Sequence, residues 1–125
     1  MGWCGRLLMI LFCASFELSV FNQQQVFLEP RIVWIDRSEL IGAESIKSTF
    51  TLHNRGSQKV NILSVKPDCS CTGYHVTAKE IKPNTRITLS LDFQGESLLT
   101  MSELYAVIET DGNPRYLKAS IKVKK

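Results

Sequence analysis

Hydrophobic alternation with a period of two runs through this chain and leaves few folds open to it. In RITLSLDF, residues 86–93, Ile87, Leu89, Leu91 and Phe93 alternate with Arg86, Thr88, Ser90 and Asp92. Successive side chains of a β-strand point to opposite faces, so such a segment buries one face and wets the other. YLKASIKVK, residues 116–124, repeats the pattern: Leu117, Ala119, Ile121 and Val123 oppose Lys118, Ser120, Lys122 and Lys124. In ESIKSTFTLHN, residues 44–54, Ile46, Phe50 and Leu52 share one face, with Lys47, Thr49, Thr51 and His53 on the other. KVNILSVK and ELYAVIET read as further apolar strands, and VFLEPRIVWID as two extended pieces broken by Pro30. RGSQ and DGNP are turn sequences. Half-buried strands at roughly ten-residue spacing predict an antiparallel β-sandwich in which two inner faces share one core. We expect about seven strands, with Trp34 a candidate member of the core. No cysteine pair is placed to join the two sheets.

At 125 residues the chain has the size of one domain. Its first segment is of a different kind. MGWCGRLLMILFCASFELSVFNQQQ carries one basic residue, Arg6, before an apolar run from Leu7 to Phe16 that Glu17 ends. About ten apolar residues are too few to span a bilayer but fit the centre of a secretory signal. Residues 1–22 are therefore expected to be a signal peptide or an uncleaved anchor, and residues 26–125 the folded domain. The expected location is the periplasm or the extracellular space, with membrane attachment only if the N-terminal segment is retained. Cleavage removes Cys4 and Cys13 and leaves Cys69 and Cys71 in an oxidising compartment. A formal net charge of +3 is too small a basic load for a nucleic-acid binder, and no aromatic platform for bases is evident.

The chain contains no G-x-S-x-G, no Gly-rich phosphate loop, no H-E-x-x-H and no obvious carboxylate pair, so no enzymatic activity is expected. His53 falls on a polar strand face, where solvation is the simplest expectation. The chemistry that remains lies in KPDCSCTGYH, residues 66–75. Residues i and i+2 of a strand share a face with Cα atoms roughly 6.6 Å apart. A disulfide prefers roughly 5.5–6 Å, so a Cys69–Cys71 bond demands a pinched backbone. Three readings stay open. The cysteines are small packing residues at a strand end, a labile disulfide, or two thiolates that hold a soft metal, Cu(I) or Zn(II), with His75 as third ligand. In each case they are expected just past the strand of Ile62 and Val65. Pro67 would break the ladder before them, and Gly73 would turn the chain away after them.

FTLHNRGSQKVNILSVKPDCSCTGY, IKPNTRITLSLDF and YAVIETDGNPRYLKASIKV together resemble the bacterial domain-of-unknown-function family 1573. Its pattern is an apolar strand ending in Asn-x-Gly, an Ile-x-x-Val strand, Cys-x-Cys-Thr, an Ile/Leu-x-Pro-Gly turn and a final strand pair. Asn54, Gly56, Ile62, Val65, Cys69, Cys71, Thr72, Ile81 and Pro83 fall on those positions, and the resemblance covers roughly residues 32–123. Ser70 and Asn84 stand where the family usually has Gly. Asn tolerates a left-handed turn conformation, and Ser70 implies that the middle of Cys-x-Cys needs no positive φ. The resemblance implies an immunoglobulin-like fold related to major-sperm-protein and cilia-associated modules, and an exported bacterial protein. It supplies no activity. The reading is a non-catalytic envelope module that binds another protein through a sheet face or edge. The alternative is a soft-metal or thiol-redox module built on Cys69 and Cys71.

Overall fold

The structure, a computed structural model, describes residues 24–125. The expected signal or anchor at residues 1–22 lies outside the described residues. The described residues form nine strands: β1 (Val26–Glu29), β2 (Ile32–Asp36), β3 (Ile46–Asn54), β4 (Val60–Pro67), β5 (Gly73–Val76), β6 (Glu80–Ile81), β7 (Thr85–Phe93), β8 (Glu103–Thr110) and β9 (Tyr116–Lys124). Among the described residues two short helices accompany them, α1 (Arg37–Leu40) and α2 (Gly95–Met101). The strands make a four-stranded sheet in the order β1-β3-β7-β5 and a five-stranded sheet in the order β2-β9-β8-β4-β6.

The count of nine exceeds the expected seven for two local reasons. The chain changes sheet around Pro30, so one extended segment becomes β1 on β3 and β2 on β9. Strand β6 has only two residues. The sandwich is antiparallel as expected except at one edge, where β2 runs parallel to β9, with Trp34 beside Lys122. A strand that crosses from one sheet to the other without reversing direction can meet its second partner in parallel.

The alternating residues make the core as expected. Phe50, Leu52, Leu89 and Leu91 of one sheet face Val60, Leu104, Ala106, Ile108, Ala119 and Ile121 of the other, all at 0% exposure. Burying each large aliphatic side chain contributes about 1.5–3 kcal/mol relative to leaving it in water. Leu40 of α1 and Leu98 of α2 are also fully buried. Gly95 makes their contact possible, since a Cβ there would overlap the Leu40 carbonyl.

Three burial assignments change. Trp34 is not in the core but 56% exposed, because β2 is an edge strand whose Val33 and Ile35 take the inner positions. The Lys122 ammonium lies over its ring, 5.6 Å from the centroid. Ser90 and Ser120 face outward yet are buried. Each is a small residue on an interior strand, flanked by Thr49 and His75 in one case and by Ile32 and Tyr105 in the other. Contacts of the domain also begin slightly before residue 26, since the Gln25 amide donates to the Asn113 carbonyl at 2.8 Å.

Candidate functional site

The two cysteines follow the end of β4, as expected. Pro67 still pairs with Ala106, and the register then ends. The Asp68 amide donates to the Tyr105 carbonyl at 2.9 Å, and the Tyr105 amide donates to Asp68 Oδ1 at 3.1 Å. These bonds hold the chain against β8 for one more residue. It then closes a tight turn in which the Thr72 amide donates to the Cys69 carbonyl at 3.1 Å. The turn brings the Cα atoms of Cys69 and Cys71 to 5.1 Å, and the two sulfurs form a disulfide. This is the pinched backbone that such a bond requires. Ser70 has no positive φ, in line with the absence of glycine there.

The two sulfurs have unlike surroundings. Cys69 is half-buried and packs against the core. Cys71 is exposed and lines an open hollow of about 400 Å³ with Glu96, Ser97, Thr100 and Met101 of α2. The backbone amide of Cys71 donates to Cys69 Sγ at 3.0 Å. Cys71 Sγ lies 3.9 Å from the hydroxyl of Thr72, whose own side chain is buried. Gly73 does not turn the chain as expected. It is the first residue of β5, it has no left-handed φ, and the nearest atom to a Cβ there would be Asp92 Cβ at 4.0 Å.

His75 sits on β5 opposite Ser90, exposed at the edge of the four-stranded sheet. Among the described residues no three His, Cys, Asp or Glu side chains converge as metal ligands, so His75 is not brought together with the cysteines. His53 is not simply solvated. Its ring stacks on Phe27 at 4.6 Å, and Nε2 lies 3.2 Å from Glu29.

The remaining motif positions are architectural. Asn54 is 1% exposed. Its Nδ2 donates to the carbonyls of Gln58 and Ile81, both at 2.8 Å, and its Oδ1 accepts the Gly56 amide at 2.9 Å. One side chain thus shapes the β3–β4 turn and ties it to β6. A Cβ at Gly56 would come within 2.5 Å of Gln25 Cγ, so the Gln25 side chain would have to shift to admit one. Pro83 opens the turn before β7, and Asn84 takes φ 59° where the family usually has Gly. The Thr85 amide and hydroxyl close that turn on the Lys82 carbonyl at 3.2 and 2.7 Å.

A second feature is the outer face of the five-stranded sheet. Trp34, Lys122 and Glu103 form one row across it, and Ile32, Ser120 and Tyr105 the next. Tyr116 is 59% exposed and Ile32 38%. The Lys118 ammonium lies 4.3 Å from the Tyr105 ring centroid. The alternation in β9 already marked the polar side of this face, but only the pairing of β2 puts Trp34 and Ile32 beside it.

The sequence matches the family described as "Protein of unknown function (DUF1573)" over residues 34–124. No curated protein matches it. A protein of unknown function from Porphyromonas gingivalis W83 superposes with a TM-score of 0.65 at 13% identity, over 80% of this chain. The present chain spans 46% of that protein's length. Two Caenorhabditis elegans proteins are also similar. WR4, an MSP family member, aligns at 10% identity with a TM-score of 0.56, over 82% of this chain and 100% of its own. SSP-19, an MSP-domain protein like family member, aligns at 11% identity with a TM-score of 0.53, over 78% and 98%. At these identities the likeness concerns the fold.

Proposed function

The chain belongs to the DUF1573 family, and from that premise we propose that it is a non-catalytic, exported envelope module whose role is to bind another protein. The observation that carries the reading is the aromatic face of the five-stranded sheet. Trp34 and Tyr116 are more than half exposed there, with lysines drawn over the rings of Trp34 and Tyr105. Aromatic side chains bring large contact area at low entropic cost and recur as anchors of protein interfaces. A lysine over a ring is a contact that a partner's carboxylate can join without displacing it. The test is capture of partners from the native envelope on wild-type and Trp34→Ala protein. Thr49→Ala, on the outer face of the other sheet, serves as control. A partner retained by Thr49→Ala and lost by Trp34→Ala supports the reading. A partner held equally by all three proteins overturns it.

A second reading, a thiol-redox module, is favoured by the Cys69–Cys71 disulfide and the exposure of Cys71. Exposed disulfides are the ones that exchange readily. A thiol count on protein taken from an oxidising compartment, with metal analysis of the same sample, tests it. Two free thiols in that sample would remove the redox reading.

A further inference from the structure

We infer that the Cys69–Cys71 disulfide is a directional exchange site: a low-molecular-weight thiolate enters by the hollow beside α2, attacks Cys71 Sγ, and expels Cys69 as the leaving thiolate. The inference rests on the second reading above and adds which sulfur reacts, by which route, and with what kind of thiol.

Access sets the attacked atom. Disulfide exchange proceeds by attack of a thiolate on one sulfur, and its rate depends on which sulfur can be reached. Cys71 is exposed and borders the hollow formed with Glu96, Ser97, Thr100 and Met101. Cys69 is half-buried against the core. The backbone sets the leaving group. The Cys71 amide already donates to Cys69 Sγ at 3.0 Å. A hydrogen bond to the charged form of a group favours that form, and a more stable thiolate leaves faster. Cys71 Sγ has only the longer contact to the Thr72 hydroxyl, at 3.9 Å, so the opposite polarity has less support.

The step balances without an added proton. The incoming thiolate's electron pair forms the new S–S bond to Cys71, and the electron pair of the old bond departs on Cys69. A second thiolate then attacks the bound thiol's sulfur and releases Cys71 as a thiolate. The two thiols leave as their disulfide, and two electrons have passed to the protein. Glu96 adds selectivity, since its carboxylate borders the hollow and opposes an anionic thiol more than a cationic one.

Full-length oxidised protein is exposed briefly to glutathione or to cysteamine and quenched in acid. Fragment-ion mass spectrometry of the peptide that holds both cysteines, read from backbone cleavages at Ser70, then identifies which one carries the adduct. One hydrogen bond to a charged group corresponds to about a ten-fold preference, so adducts on Cys71 are expected to outnumber those on Cys69 by that factor. Equal labelling, or labelling chiefly on Cys69, overturns the direction. Glu96→Gln is expected to lower the cysteamine-to-glutathione rate ratio roughly two-fold. An unchanged ratio overturns the route through the hollow. Two free thiols found before any reagent is added would overturn the inference together with the redox reading, whereas an intact disulfide labelled the wrong way overturns the inference alone.

Discussion

Replacing Asn54 is expected to be among the costliest single polar changes in the domain. Its side chain is 1% exposed and makes three hydrogen bonds to backbone groups, at 2.8, 2.8 and 2.9 Å. A net intramolecular hydrogen bond contributes about 1 kcal/mol, so Asn54→Ala is expected to cost about 2–4 kcal/mol. Asn54→Asp separates donor from acceptor. It keeps an oxygen for the Gly56 amide but turns the side chain's other arm from a donor into an acceptor facing the Gln58 and Ile81 carbonyls. A buried carboxylate with two carbonyl oxygens in contact is unfavourable, so the cost at neutral pH is expected to be at least about 3 kcal/mol. Urea denaturation of the two variants and wild type, with the m-value checked for constancy, measures both figures. If Asn54→Asp falls within about 1 kcal/mol of wild type while Asn54→Ala does not, only the bond to Gly56 matters, and the tie to β6 contributes nothing.

Leu89→Ala and Leu91→Ala each empty a fully buried position and are expected to cost about 2–5 kcal/mol, against well under 1 kcal/mol for the half-exposed Thr88→Ala, in the same denaturation assay. Gly95→Ala drives a Cβ into the Leu40 carbonyl, and thermal melts are expected to show a loss as large as that of a core truncation. The Asp111 carboxyl is held below its ordinary value of 3.8 by the Asn61 amide at 2.7 Å and the Asn61 side-chain Nδ2 at 2.8 Å. A lowered carboxyl pKa stabilises the fold above the unfolded-state value, and that contribution is lost as pH falls through the folded value. The stability gap between wild type and Asp111→Asn is therefore expected to narrow as pH drops below 3.8, with an NMR midpoint for Asp111 under that value.

Much of the fold was legible because its cause is local. Ile87, Leu89, Leu91 and Phe93 are buried as their spacing requires, since the side-chain period of a strand is a property of the backbone itself. The turn at Pro83 and Asn84 was legible for the same reason, because φ 59° is a single-residue preference. The candidate site was legible only in part. Two cysteines one residue apart announce proximity, but an extended segment and a tight turn differ by little more than an ångström in Cα separation. What closed the turn was the grip of β8 on Asp68 and the Thr72 amide on Cys69. His75 was drawn toward the pair by sequence distance alone. Pairing of β5 with β7 placed it opposite Ser90 instead.

By itself, then, the sequence determined the strands, their inner faces, the turn chemistry at Pro83 and Asn84, and the adjacency of the two cysteines, since each of these depends on neighbours within a few residues. The tertiary structure decided everything that depends on which strand lies beside which. It moved Trp34 from the expected core to an exposed edge, because β2 found β9 in parallel and, among the described residues, has no strand on its other side. It buried Ser90 and Ser120 by flanking them with larger residues. It also made the two sulfurs unequal, with the core against Cys69 and the hollow beside α2 at Cys71. That difference comes from packing between segments far apart in the chain, and no local spacing encodes it.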